Sequence, residues 1–207
     1  MNNNLSAAKT CVMQERLLSY VKRFIQPTPA EAEYFLSLFK PGKYIKKQIV
    51  LQTGEQCLVE TFVVSGCLRS YMVDAEGQIH IVQFAVANWW ISDMESLIRD
   101  VPARLTIDAL ADSEVLQITK ADFENLLIKF PKFERMFRLM LSNAFISHQR
   151  RIIDNLSIPA KDRYLNFIKN HRDIEQLVPQ HQIAAYLGMT PEFLSQIRRK
   201  LTSEKFS

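Results

Sequence analysis

Gln180-His181-Gln182-Ile183-Ala184-Ala185-Tyr186-Leu187-Gly188-Met189-Thr190-Pro191-Glu192-Phe193-Leu194-Ser195-Gln196-Ile197-Arg198-Arg199 is the stretch on which the reading of this chain turns. Ile183, Leu187, Leu194 and Ile197 recur at helical spacing and supply a small core between two helices. Ala184 is small where the helices would cross, and Gly188 offers the left-handed residue that ends the first. Thr190 then caps the second helix, Pro191 takes its first position and Glu192 its negative-preferring first turn. Together these signals describe a helix-turn-helix.

The second helix leaves a polar face outward: Glu192, Ser195, Gln196 and Arg199, flanked by Arg198 and Lys200. Glu accepts from cytosine N4, Gln bonds adenine at N6 and N7, and Arg bonds guanine or a phosphate. The free backbone N–H groups near Thr190 and Pro191 suit a phosphate. These eight residues are the candidate DNA contacts. The plainer alternative is a pair of packed helices with a solvated face.

Charge favours the DNA reading. The chain has 207 residues, 47% apolar and 23% charged, with a formal net charge of +4. Residues 1–144 hold 16 basic and 16 acidic residues, whereas residues 145–207 hold 10 and 6. The surplus therefore sits in the part that contains the helix-turn-helix, as expected of a polyanion-binding end. The composition excludes a disordered chain and a disulfide-stapled miniprotein. No long apolar run exists to cross a membrane, and the start Met1-Asn2-Asn3-Asn4-Leu5 lacks the pattern of a signal peptide. A cytoplasmic location is expected, in keeping with three cysteines (Cys11, Cys57, Cys67) that lack metal-type spacing.

Upstream, Leu17, Leu18, Val21, Phe24 and Ile25 mark a helix over residues 5–26, broken by Pro27-Thr28-Pro29. Thr28 can cap a second helix to about Phe39, which Pro41-Gly42 should stop. The period then changes. Gly42, Gly54, Gly66 and Gly77 fall 12, 12 and 11 residues apart, with β-rich runs between them. Short strands are expected at Tyr44-to-Gln52, Glu60-to-Val64, Cys67-to-Val73, Gln78-to-Phe84, Arg104-to-Leu110 and Glu114-to-Ile118. Residues 91–100 read as a helical excursion.

After Thr119 the chain reads as helical. A long helix from Pro131 towards Asn155 carries a wide apolar stripe. Such a stripe suits a helix that covers its own sheet and also pairs with a second copy; the plainer alternative is a single buried helix. Phe133, Phe137, Met140, Leu141, Ala144, Phe145, His148 and Ile152 are the candidate dimer residues. The expected division is residues 1–130 (N-terminal helices and sheet), 131–156 (dimerisation helix) and 157–207 (helix-turn-helix).

A β-roll, a long helix and a C-terminal helix-turn-helix in this order resemble the Crp/Fnr family of bacterial transcription regulators. Further residues that carry the resemblance are Gln52-Thr53-Gly54-Glu55, Phe62-Val63-Val64-Ser65-Gly66-Cys67-Leu68-Arg69 and Ala109-to-Leu116. It implies an α+β fold with an antiparallel, jelly-roll-like β-roll of the cyclic-nucleotide-binding type. It also implies a cytoplasmic homodimer that places two recognition helices in major grooves of near-palindromic promoter DNA, roughly 34 Å apart. RNA polymerase and an unidentified small-molecule effector are further candidate partners. The family's C-terminal hairpin wing is expected to be incomplete, because only six residues follow Leu201. Pro191 stands where many members place an Arg, so the operator should differ.

The resemblance also bears on the effector. Members that bind cyclic nucleotides pair a Gly-Glu at a short helix with an Arg some ten residues later. Here Ser92 and Asp93 stand at the Gly-Glu and Ala103 at the phosphate-binding Arg, so Trp90, Ser92, Asp93, Ala103 and Arg104 are the candidate effector-pocket residues. Arg104 is one residue away, and a one-residue shift in a strand turns a side chain to the opposite face. No cyclic nucleotide is therefore expected as cofactor, and no metal. An enzyme is not expected either: of four histidines only His80 lies in the sheet region. The competing class is a sensing or protein-interaction module whose helix-turn-helix does not bind DNA.

Overall fold

The computed structural model describes residues 2–204, with side chains from residue 9 to residue 203. Helix α1 (Asn2–Val21) is followed by α2 (Pro29–Ser37). Thr28 caps α2 with its hydroxyl, while the Glu31 carboxylate accepts from the Thr28 N–H at 2.6 Å, which completes a capping box. The expectation that lies outside the described residues is the incomplete wing, since residues 205–207 are not described.

Among the described residues, eight strands form two four-stranded antiparallel sheets. They are β1 (Lys40–Tyr44), β2 (Ile49–Leu51), β3 (Val59–Ser65), β4 (Cys67–Val73), β5 (Ile79–Val86), β6 (Trp90–Ile91), β7 (Thr106–Ala109) and β8 (Ser113–Thr119). One sheet runs β1-β8-β3-β6 and the other β2-β7-β4-β5. Short α3 (Met94–Arg99) interrupts them between β6 and β7. Glycine turns at Gly54, Gly66 and Gly77 all have positive φ. Pro41-Gly42 departs from expectation, because both residues lie inside β1 rather than ending a helix. Proline is tolerated there because β1 is an edge strand, and Gly42 lies against Val115 of β8, where a Cβ would sit 2.9 Å from the valine methyl.

After β8 the chain is helical: α4 (Lys120–Lys129), α5 (Lys132–Ser157), α6 (Ala160–Asn170), α7 (Arg172–Leu177), α8 (Gln180–Tyr186) and α9 (Pro191–Glu204). Three apolar layers result. Leu51, Val63, Leu68, Ile107 and Val115 fill the space between the two sheets. On the outer face of the β3 sheet, Phe62, Leu116 and Ile118 pack against α1, α2, α4 and the first half of α5. Phe35 of α2 stacks on Phe133 of α5 with centroids 4.9 Å apart. The outer face of the β5 sheet packs instead against the C-terminal helices, through Ile81, Phe84, Phe167, Ile183 and Leu187. No described helix is long and apolar enough to cross a membrane.

The candidate dimer residues divide along α5. Phe133 and Met140 are buried, at 0% and 8% exposure, and Phe137 packs against Phe123 of α4 with ring centroids 4.4 Å apart. These three belong to the protomer's own core, which corrects their assignment to a dimer seam. The reason is geometric: the first turns of α5 cover the β3 sheet, and the helix then runs past it. Leu141, Ala144, Phe145 and Ile152 are exposed and His148 is half-buried. Leu156 continues this uncovered face at 84% exposure.

Candidate nucleic-acid interface and effector pocket

Helix α8 ends in a Schellman arrangement. The Met189 N–H donates to Ala184 O at 2.9 Å and the Gly188 N–H to Ala185 O at 3.4 Å, with Gly188 at φ +65°. A side chain at Gly188 would meet no neighbour, so its backbone conformation alone favours glycine there. The Phe193 N–H then donates to the Thr190 hydroxyl at 3.2 Å, capping α9 as its residue types require.

Ile183, Leu187, Leu194 and Ile197 are buried between the helices, and this fixes which face of α9 looks outward. Thr190, Pro191, Glu192, Ser195, Gln196, Arg198, Arg199 and Lys200 are all exposed. The structure thus brings all eight candidate DNA contacts onto one accessible helix and its N-terminal turn. Phe193 is exposed beside them and was not singled out by the sequence pattern. An aromatic ring at that position suits the methyl group of thymine.

The position of α8 is set by buried polar chemistry. Arg69 of β4 donates to both carboxylate oxygens of Asp108 on β7, at 2.7 and 2.8 Å, and its third polar contact is with the Gln182 side-chain carbonyl on α8. Its guanidinium also lies over the Tyr71 ring, 4.2 Å from the centroid. A bidentate pair of this kind satisfies both ions, which their burial demands. Arg151 of α5 donates to Val82 O at 2.8 Å and lies 4.6 Å from the Tyr186 ring centroid. Local periodicity gave no hint of these contacts. Arg69 and Gln182 are 113 residues apart, and the sole sequence signal was a lone charge in each otherwise uncharged strand.

The candidate effector residues do not converge. Ser92 lines a cavity of about 190 Å³ with Val50, Gln56, Cys57, Thr61 and Ile107. Asp93 is buried and faces protein partners: its carboxylate accepts from Ser96 N at 3.1 Å, Arg104 N at 2.9 Å and Leu105 N at 3.0 Å. Ala103 is buried, and its backbone bonds Gly54 and Glu55 at 2.8 and 2.7 Å. The Arg104 side chain is 77% exposed, 3.9 Å from Glu95. Trp90 turns away from this cavity towards Tyr20, Phe39 and Phe62. Trp90 and Arg104 are therefore not pocket residues, which corrects their assignment. Strand alternation explains Trp90, since its neighbour Ile91 takes the inward position.

The cysteines offer no accessible reactive pair. Burial raises the thiol of Cys57 and pushes that of Cys67 up to about 12, while Cys11 alone is exposed.

Residues 41–130 match the family model of the cyclic nucleotide-binding domain. The chain is similar to the regulatory protein YeiL of Escherichia coli O157:H7, 23% identical over 148 residues that span 71% of this chain and 67% of the relative. In fold it is similar to FixK2 from Bradyrhizobium japonicum, with a TM-score of 0.71 and 18% identity over 81% of this chain and 86% of that one. It is also similar to a protein from Eubacterium rectale assigned to the Crp/Fnr family of transcriptional regulators, with a TM-score of 0.66 and 17% identity over 86% and 85% of the two chains.

Proposed function

We propose that the chain, whose residues 41–130 match the cyclic nucleotide-binding domain and whose fold is similar to that of Crp/Fnr regulators, is a transcription regulator that reads promoter DNA through α9. The observation that carries this reading is the exposed face of α9, where Glu192, Ser195, Gln196 and Arg199 stand together on a buried helix-turn-helix core. Lys200, Arg198 and the capped N-terminus at Thr190 supply phosphate contacts that set the register.

The active form is a homodimer. Leu141, Phe145, His148 and Ile152 follow one another at steps of four, three and four residues on α5, the spacing of a helix-pairing stripe. Phe145 and Ile152 are 68% and 57% exposed in a single chain, so a second copy would bury apolar surface that is otherwise wet. Two-fold pairing presents two α9 helices to successive major grooves of a near-palindromic site.

The protein works without a cyclic nucleotide. A cyclic phosphate needs an inward cation, yet Ala103 holds the Arg position and Arg104 points to solvent. Asp93 is already engaged by three backbone N–H groups, so its carboxylate is not free for a ribose hydroxyl. Fluorescence anisotropy on DNA from upstream of its own coding sequence, at two salt concentrations, tests the whole reading. Saturable binding that prefers one sequence, weakens with salt and does not respond to cyclic AMP supports it. Binding that is absent or sequence-independent overturns it.

A further inference from the structure

Strand β3 has two buried faces with different surroundings. Thr61 and Val63 look into the roll, whereas Glu60, Phe62 and Val64 look towards the helices. Phe62 and Val64 are ordinary core residues there, but Glu60 is a carboxyl at the same depth. It is 5% exposed, and its Oε2 has no hydrogen-bond partner. Buried polar atoms nearly always have a partner, so an orphan of this kind calls for an explanation.

Next to it lies a cavity of about 150 Å³. Met94 and Leu97 of α3, Phe123 and Leu127 of α4 and Phe137 of α5 form its apolar walls, and Glu60 is the acid on its floor. Lys120 and Glu124 are the other charged groups that line it. The Lys120 ammonium is engaged elsewhere, with Ile98 O at 3.0 Å and Asp100 Oδ2 at 2.7 Å, where it straps α3 to α4. Glu124 is exposed to solvent. Glu60 therefore faces this chamber with the Ser92 hydroxyl as a hydrogen-bonding neighbour and, among the described residues, no cation paired with it.

We infer that this cavity is a small-molecule site for a compact apolar amine, on the opposite face of β3 from the Ser92 cavity. Its volume of about 150 Å³ is enough to admit one six-membered ring. An ammonium group on such a ring supplies both the counter-charge and the hydrogen that Oε2 lacks. A carboxylic acid of the same size is rejected by charge, and a neutral molecule fills the walls but leaves the acid without a counter-charge. Burial agrees with this assignment: it pushes the empty-site carboxyl up to about 7, so a bound cation readily draws it into the charged form.

The test uses the full chain and three probes of one shape: benzylamine, benzyl alcohol and benzoate. Affinities come from titration calorimetry, and the site from amide NMR shifts of Leu97, Phe123 and Phe137. Benzylamine is expected to bind about tenfold or more tighter than benzyl alcohol, with benzoate weaker than either. Glu60→Gln should erase the amine preference and leave the alcohol within about twofold. Leu127→Trp, which fills the chamber, should abolish binding of both. Equal affinity of amine and alcohol, an amine preference that survives Glu60→Gln, shifts confined to residues outside β3 and α3–α5, or no binding of any probe overturns the assignment. None of these outcomes depends on whether α9 binds DNA.

Discussion

Replacing Gln182 with Leu should loosen the C-terminal helices from the β-roll without unfolding either. The Gln182 carbonyl is the α8 partner of a guanidinium that also holds Asp108 at 2.7 and 2.8 Å. Leucine keeps most of the volume, so no large void forms. Arg69 and Asp108 keep each other, so the pairing inside the roll survives. What is lost across this contact is the hydrogen bond to a charged group, worth about 1.5–3 kcal/mol, while the accompanying loss of the Gln182 Nε2–His181 Nε2 bond at 2.9 Å stays within α8. That corresponds to a rise of roughly ten- to a hundredfold in the undocked population. Hydrogen exchange read by peptide mass is the assay. Peptides spanning β5 and α8 should exchange faster by about that factor, because they cover each other at Phe84 and Tyr186, whose centroids are 5.1 Å apart. Peptides from α1 and β3 should not change. Arg69→Met gives the contrast: it strands buried Asp108 without a cation, costs about 3–5 kcal/mol and should speed exchange throughout the roll. Unchanged exchange in β5 and α8, or a uniform rise across the chain in Gln182→Leu, would refute the role given to this contact.

Three further outcomes follow from particular residues. Glu60 has its carboxyl raised by burial from 4.5 to about 7, so the folded state holds a proton that the unfolded state releases. Its contribution is fully present below about pH 4.5 and is lost as pH rises to about 7, a change of about 3 kcal/mol; in urea melts Glu60→Gln should remove that slope, and parallel pH profiles would count against it. Gly66→Ala should destabilise by about 3 kcal/mol or more, since its Cβ would lie 2.3 Å from Ser113 Oγ and 2.4 Å from Asp112 O at φ +88°. Gly54→Ala, at φ +92° in open space, should cost only about 1–2 kcal/mol, and equal melting shifts would contradict the contact argument. Phe145→Asp should convert a species of twice 24.0 kDa into one of 24.0 kDa in sedimentation; an unchanged mass would place the dimer contact elsewhere.

Much of this was legible in the residues because some signals are local. Gly188, Thr190 and Pro191 each have a backbone conformation or capping role that few other residues fill, so the helix-turn-helix could be read from one short stretch. Gly54, Gly66 and Gly77 likewise mark turns with positive φ. Pro41-Gly42 misled because proline stops a helix and also fits an edge strand; only the neighbour β8 decides which. Along α5 the stripe revealed a long helix but not what covers each part of it. Phe133 and Phe145 are the same residue type at helical spacing, yet one is in the core at 0% exposure and the other is open at 68%. The effector residues failed for a related reason. Spacing placed Asp93, Ala103 and Arg104 near one another in sequence, but strand alternation and the Asp93 cap decide where each side chain goes. The least legible features were Glu60 and the Arg69–Asp108–Gln182 contact, where single charges in apolar strands meet partners or cavities brought by distant elements.

The central claim is that α9 reads bases with one part of its exposed face and holds phosphates with another. The most direct measurement is DNA affinity across a salt series for the wild type, Gln196→Ala and Lys200→Ala, each on the preferred sequence and on single-base variants of it. The expected result is that Gln196→Ala relaxes the preference at one base of each half-site, by about 1–3 kcal/mol, with an unchanged salt slope. Lys200→Ala should weaken all sequences alike and reduce the slope by about one per contact. If both substitutions behave alike, or neither alters affinity, α9 is not the element that reads DNA.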